Sequence, residues 1–529
     1  MSLPAPADQR LPKLATGGLL LVALLLAVFR ADQFPLLGPD EPRYTRVAVE
    51  MHRADEWVRP TLQGEPWLEK PILFYWLASA AFDLFGETET AARLPSNLAA
   101  VALVGLTALF GARTLGARGG LLAGGLLATA VLPFVYARAA SMDMLLAAAV
   151  TAAVALCGLR LLGVAGGAAW PAAFAAMGLA TLAKGPLGIV LPLLVLMAWS
   201  AATRQASPLF QLLRPANLLA LVLVAGPWYG AILLDQGWHF VDVFILNHNL
   251  ARMTSTIHNH PGPFWYYVPV LLVGLFPWSG LVVPAVVGAA PRRSRIDLFL
   301  LCWLLAPLAF FSSAGSKLPG YILPCLPPLA LLCAQAALRI DRERGGWGWG
   351  RFAALLTLVL GAVLFAAPFA WARRGETGAL ALWPAGAWAL LTAFLFSRRI
   401  AKDAFAAYRA LAIGGGGLLL LFALSLPTLL SRLESGRALF APARGREVLA
   451  WGAWRTAWMA GYFYNDGRVR EIEGIADVAR AVESGPALVL AGPAQRRELE
   501  RAPGLEAFAL AEGPRRNALL RVKRAGSGF

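Results

Sequence analysis

The run Gly38-Pro39-Asp40-Glu41-Pro42-Arg43-Tyr44 sets two carboxylates and a guanidinium together, directly after the first membrane-length apolar segment. At a bilayer surface, a carboxylate so placed could take the proton from an attacking hydroxyl. Arg43 could neutralise an anionic group beside it. Asp40 and Glu41 could equally be helix-capping carboxylates just beyond a span. A second cluster, Leu68-Glu69-Lys70-Pro71, precedes an aromatic apolar stretch. Lys70 could snorkel toward lipid headgroups. It could instead join Arg43 in holding a lipid phosphate whose charge builds as it leaves.

Arg138-Ala139-Ala140-Ser141-Met142-Asp143 closes another apolar run. Ionised groups at membrane depth are costly unless partnered or wetted. One reading is an Arg138 to Asp143 ion pair; the other makes Asp143 a second catalytic carboxylate facing the same cavity as Asp40. Asn247-His248-Asn249 and Arg252 are followed by His258 and His260, so three of the five histidines occupy one loop. His248 could hydrogen-bond a sugar or phosphate, and Arg252 could add positive charge to a phosphate site. A divalent metal (zinc, magnesium or manganese) held by Glu69 and His248 is a candidate cofactor, although no His-Glu-x-x-His spacing occurs. Lys184, in Ala183-Lys184-Gly185-Pro186, and Lys317, in Ser316-Lys317-Leu318-Pro319-Gly320-Tyr321, lie beside helix breakers. Such sites line cavities in broken helices, with a structural ion pair to a carboxylate the alternative for Lys184.

The elements that must position these groups are membrane spans. Of 529 residues, 58% are hydrophobic and 15% charged, and the apolar residues fall in long blocks separated by short basic loops, the composition of a polytopic α-helical membrane protein. The net charge of +16 belongs to positive-inside loops rather than to a nucleic-acid partner. Cys157, Cys302, Cys325 and Cys333 lie in apolar runs without paired spacing, which suggests packing rather than disulfides or a zinc ribbon. The segment at 15–31 follows Arg10 and Lys13 and lacks a small-residue cleavage site, as a retained signal anchor does.

Further apolar runs at 94–112, 119–137, 144–163, 170–184, 186–202, 215–234, 264–289, 297–313, 319–338, 351–371, 379–396 and 407–430 bring the expected total to about thirteen spans. The run 71–86 is too short to cross upright, and Asp83 interrupts it. With 71–86 interfacial, the loops carrying Arg113 and Arg118, Arg204 and Arg214, Arg292 to Arg295, Arg339 to Arg351, and Arg398 to Lys402 all fall on the cytoplasmic side. Only Arg373 and Arg374 break the pattern. The same parity gathers the 32–90 loop, 138–143, 235–262, 317–321 and everything after 430 at the outer face. All the polar clusters then meet at one surface.

The chain divides into a transmembrane catalytic domain at 1–430, with interfacial helices in its 32–90 loop, and a small α/β outer domain at 431–529. In the latter, 468–472, 487–490, 508–510 and 518–522 read as strands and 475–484 and 493–501 as helices. No internal repeat, Walker loop or dinucleotide fingerprint is present.

Taken together, Asp40-Glu41-Pro42-Arg43-Tyr44, Trp57 with Pro60, Glu69-Lys70-Pro71, Arg93-Leu94-Pro95, Asp143, Lys184-Gly185-Pro186, His248-Asn249-Leu250 and Lys317-Leu318-Pro319 with Tyr321 and Pro324 resemble the GT-C superfamily of polyprenyl-phosphate-sugar-dependent glycosyltransferases. Within it, the chain is most similar to the bacterial aminoarabinose transferase (lipid A) and protein O-mannosyltransferase group. The resemblance implies that Asp40 is the catalytic carboxylate and that Lys70 and Arg43 contact the carrier-lipid phosphate. It further implies that Glu69 and His248 form a metal or polar site and that Tyr321 lines the lipid-phosphate cavity. About thirteen spans and a periplasmic C-terminal domain are implied as well.

The expected reaction is a single inverting displacement. An acceptor hydroxyl or phosphate on lipid A, another glycan or a protein attacks the anomeric carbon of a sugar on undecaprenyl phosphate, at the periplasmic face of the bacterial inner membrane. A lipid-linked-sugar transporter or flippase is the rival class, since many spans with intramembrane lysines and broken helices also fit transport. Against it stand the long charged first outer loop and the lack of a repeat.

Overall fold

The computed structural model describes residues 10–244, 262–289, 294–342, 347–373, 377–443 and 445–526. Among these, nine helices are long and apolar enough to cross a membrane. A tenth is reached if the bent pair Ala117–Ala128 and Val131–Ala137 counts as one span. The expected figure of about thirteen counts three further apolar runs besides these. The three remaining runs form shorter pieces: Ala169–Lys184, Leu187–Thr203, and 264–289, which divides into Tyr267–Gly274 and Val282–Ala289 around a turn. Sixteen residues of helix reach only about 24 Å, short of a hydrocarbon core of about 30 Å. Apolar composition counts residues but does not register where the backbone breaks.

Helix α1 (Lys13–Val28) leads into the long segment at 32–90, which is largely structured. Helix α2 (Asp40–Ala54) is amphipathic, burying Tyr44, Val47, Ala48, Val49 and Met51. A small antiparallel hairpin follows, β1 (Thr61–Leu62) and β2 (Glu65–Pro66), with Thr61 opposite Pro66. Helix α3 (Leu73–Phe85) occupies the segment that charge parity keeps from crossing, and its 13 residues are too few to span. Ser79 in α3 donates to the Ala48 carbonyl of α2 at 3.1 Å, so the two lie against each other. The long helix α4 (Glu89–Leu115) starts at Thr88, whose hydroxyl accepts from the Ala91 amide.

After the last long helix, Ala404–Leu433, comes a five-stranded mixed sheet of β3 (Val448–Trp451), β4 (Val469–Glu471), β5 (Ala487–Ala491), β6 (Leu505–Glu512) and β7 (Ala518–Arg524), in the order β4-β3-β5-β7-β6. Strand β3 runs parallel to β4 and β5; β7 is antiparallel to β5 and to β6. Four of these strands and the helices Ile475–Ala481 and Pro493–Arg501 fall where turn signals predict them. Strand β3 does not: its Val-Leu-Ala-Trp run has no alternation, because all four residues are buried. Apolar clusters built on Val448, Leu488 and Leu519, and on Leu449, Val489 and Leu520, cover the two faces of the sheet.

Candidate active site

Pro39, not an acidic residue, is the N-cap of α2, and it makes no side-chain cap. The capping reading of Asp40 and Glu41 is therefore not realised. Both lie in the first turn, where the helix dipole favours negative charge. There the two part ways. The Asp40 side chain is 50% exposed, whereas that of Glu41 is 10% exposed.

Glu41 is held from several sides. One carboxylate oxygen accepts from Arg93 at 2.7 Å and from the Leu37 amide at 3.0 Å; the other accepts from the Ala140 amide at 3.2 Å. Arg93, in the first turns of α4, also donates to the carbonyls of Ala31, Phe34 and Pro35. Enclosing a guanidinium and a carboxylate is tolerable only with many partners; here both terminal nitrogens of Arg93 are partnered and Nε is left without one. The pair ties the loop after α1, the head of α2, α4 and the 138–143 turn into one unit.

Asp40 faces outward and pairs with Arg43. Arg43 also donates from Nε to the Pro39 carbonyl at 3.2 Å and lies 5.2 Å from the Trp67 ring. Burial acts to lower the Arg43 pKa, but the charges of Asp40, Tyr44 and Glu69 more than offset it, and the net shift is upward. Tyr44 and Tyr75 sit in the same neighbourhood. Burial, followed for Tyr44 by the charge of Asp40, pushes that hydroxyl well above its usual range, and burial likewise raises Tyr75. Asp40, Arg43 and Glu69 thus share one electrostatic environment, and Lys70, next in the chain, is buried.

A second group lies across the 138–143 turn. Asp143 is the first residue of α5 (Asp143–Leu161), and Lys184 is the last residue of the returning helix α6 (Ala169–Lys184). The two side chains are paired, each at the helix end whose dipole suits its charge. Gly185, at φ +74°, ends α6 just past Lys184. The Lys184 ammonium stands 4.8 Å from the centre of the Tyr321 ring. Tyr321 comes from the short 3-10 helix Pro319–Cys325, which packs on α5. Lys317 is buried and donates to the Ala314 carbonyl at 2.6 Å.

The Arg138 to Asp143 ion pair expected from their spacing is not formed. Arg138 instead donates to the Leu26 and Phe29 carbonyls at 2.9 and 2.6 Å and lies against the rings of Phe34 and Phe134. It satisfies carbonyls that the end of α1 leaves without helical partners, which leaves Asp143 to Lys184. His248 and Arg252, with Asn247, Asn249, His258 and His260, lie outside the described residues. Among the described residues no group of three or more His, Cys, Asp or Glu side chains is placed to hold a metal. A metal at Glu69 would depend on His248.

Sequence reasoning missed a third set at the seam between the 32–90 segment and the sheet domain. Arg46 and Arg53 of α2 donate to one carboxylate oxygen of Asp466 at 2.5 and 2.7 Å. Tyr464 accepts through its hydroxyl from the Leu36 amide at 2.7 Å. Partners more than four hundred positions apart leave no local signal. The local signal present is the turn-forming run Asn465-Asp466-Gly467.

The family model described as dolichyl-phosphate-mannose-protein mannosyltransferase matches residues 69–229. The undecaprenyl phosphate-alpha-4-amino-4-deoxy-L-arabinose arabinosyl transferase of Aeromonas salmonicida is 33% identical over 397 residues, 70% of each chain. The protein of the same name from Edwardsiella ictaluri is 33% identical over 345 residues, 62% of this chain and 61% of that one. The crystal structure of ArnT from Cupriavidus metallidurans bound to undecaprenyl phosphate superposes with a TM-score of 0.81 at 23% identity, over 97% of this chain and 99% of that one, which establishes the fold. The Aeromonas salmonicida relative, 33% identical over 70% of the chain, sets a transporter aside. At this identity and coverage the chain belongs to the undecaprenyl phosphate-alpha-4-amino-4-deoxy-L-arabinose arabinosyl transferase family, and it is a multi-pass membrane glycosyltransferase.

Proposed function

We propose that this enzyme transfers 4-amino-4-deoxy-L-arabinose from undecaprenyl phosphate to lipid A, with its active site at the periplasmic face of the bacterial inner membrane. The sugar and its carrier follow from the names of the relatives. Lipid A as acceptor follows from the resemblance carried by Asp40 to Tyr321. The observation that bears most weight is the division of labour in the first turn of α2: Glu41 is enclosed with Arg93, while Asp40 is exposed beside Arg43.

On this reading Asp40 accepts the proton from the acceptor's hydroxyl or phosphate as that oxygen attacks the anomeric carbon. The bond from that carbon to the carrier phosphate breaks on the opposite side, and configuration inverts. Negative charge grows on the departing phosphate, where Arg43, Lys70 and Arg252 stabilise it. Asp143 with Lys184, Lys317 and Tyr321 line the carrier's side of the cavity, and Glu69 and His248 form its polar or metal-binding edge. The half-enclosed setting matters because water screens such interactions and also competes as an acceptor.

The test is Asp40→Asn in purified, reconstituted protein. Transfer should fall by about 10²- to 10⁴-fold while undecaprenyl phosphate still binds. Transfer at the wild-type rate would remove Asp40 from the mechanism. Activity retained after exhaustive chelation would likewise reject a metal at Glu69 and His248.

A further inference from the structure

We infer that Asp466, in the C-terminal sheet domain, is a positioning residue for the transfer reaction, the keystone of a clamp that holds the two limbs of the active site in register. The inference rests on the reading above that α2 and the segment at 69–70 carry the reacting and phosphate-holding groups.

One limb is α2, a single unbroken helix with Asp40 and Arg43 at its head. Arg46 and Arg53 follow at helical spacings of three and ten from Arg43, and both reach the same oxygen of Asp466, at 2.5 and 2.7 Å. A second carboxylate, Glu87, takes Arg53 from the other side at 2.6 Å. The other limb is the β1–β2 hairpin, which runs straight into Glu69 and Lys70. Glu50 of α2 accepts from the Thr61 hydroxyl at 2.9 Å and the Gln63 amide at 2.8 Å, and receives Arg46 Nε at 2.7 Å. The Gln63 side chain then donates to the Gly467 carbonyl at 2.8 Å. Asp466 and Gly467, adjacent in one turn, thus grip both limbs at once.

The turn is built for this task rather than merely exposed. Asp466 and Gly467 both take the left-handed region, at φ +54° and +75°. For a non-glycine residue that conformation costs free energy unless the surroundings impose it. Asn465 imposes it: nearly fully buried, it donates to the carbonyls of Arg446 and Arg468 and accepts from the Gly445 amide. A Cβ on Gly467 would come within 3.3 Å of the Arg46 guanidinium, so the backbone itself is pressed against the limb it holds. Rigid placement of reacting groups is worth much in rate. A misplacement of about 1 Å can cost on the order of a hundredfold.

The experiment uses the full-length protein in lipid nanodiscs. Asp466→Asn should lower kcat by about tenfold or more at an unchanged unfolding temperature and elution profile, with Asp466→Glu restoring most of the rate. Spin labels on Ala54→Cys and Glu65→Cys, one on each limb, should give a narrow distance distribution that broadens in Asp466→Asn. A wild-type kcat in Asp466→Asn, a rate loss that merely tracks lost folded protein, or an unbroadened distribution each overturns the inference. Asp40→Asn run alongside separates the two readings. If it keeps full activity, the site assignment has failed; if it is inactive while Asp466→Asn is not, only the clamp has failed.

Discussion

Asp143 and Lys184 are the first residue of one helix and the last residue of the next, and their side chains pair at the layer where the antiparallel helices begin and end. Each charge sits at the helix end that favours it, yet both are four-fifths buried, at 20% and 16% side-chain exposure. Removing one partner leaves the other uncompensated. Lys184→Met should destabilise the protein by about 3–5 kcal/mol and abolish transfer. The double replacement Asp143→Asn with Lys184→Met should recover most of the stability but none of the activity. Thermal unfolding in detergent and a transfer assay on the same preparations check both halves.

The neighbouring Gly185 offers a gentler probe of the same pair. Its φ of +74° disfavours any side chain, and a Cβ would meet the Phe244 ring at 2.7 Å. Gly185→Ala should cost roughly 1–3 kcal/mol and lower the transfer rate by shifting Lys184 off Asp143 and Tyr321. Equal stability and rate in this variant would show that the end of α6 does not need its left-handed residue.

Arg93 and Glu41 should behave as scaffold, in contrast to Asp40 beside them. Glu41→Gln leaves the almost fully enclosed Arg93 without its counter-charge, so a loss of about 3 kcal/mol or more is expected. Transfer by the surviving folded fraction should stay within a few-fold of normal, whereas Asp40→Asn should unfold at the wild-type temperature. Specific activity normalised to folded protein distinguishes them.

Acidification should release the grip of Asp466 on Arg46 and Arg53 only late. Burial pulls the Asp466 pKa up, but the hydrogen bonds from Arg53 and Arg46 outweigh it, and the carboxyl is held below its ordinary value. A folded-state pKa below the unfolded one means the stabilisation is complete above the unfolded value and is lost as pH falls through the folded one. Because the side chain is 46% exposed, water screens the effect and its size is modest. The distance between labels at 54 and 65 should therefore be flat across neutral pH and change only below roughly pH 4, and Asp466→Asn should remove that acid limb.

Sidedness is open to direct labelling, since the four native cysteines are buried. With an outward-facing site, a membrane-impermeant maleimide should reach Glu65→Cys from outside intact spheroplasts and Arg118→Cys only after lysis. Both positions are exposed. The reverse pattern would invert the orientation.

By itself the sequence determined the membrane class, the shortness of the apolar segment at 71–86 and most of the sheet domain, because these depend on composition, length and short-range periodicity. It also picked out Asp40, Asp143, Lys184 and Lys317 as residues worth watching, since charge beside an apolar run is informative wherever it folds. Which carboxylate takes which cation was decided only by tertiary structure. Arg138 and Asp143 are five apart, yet Arg138 caps the end of α1 and Asp143 finds Lys184 across a helix pair. In the same way Glu41 is enclosed and Asp40 exposed, although the two are adjacent. Buried charges are settled by the complete set of partners that packing brings within reach. Those partners here, from Arg93 with Glu41 to Asp466 with Arg46 and Arg53, come from segments dozens to hundreds of residues apart.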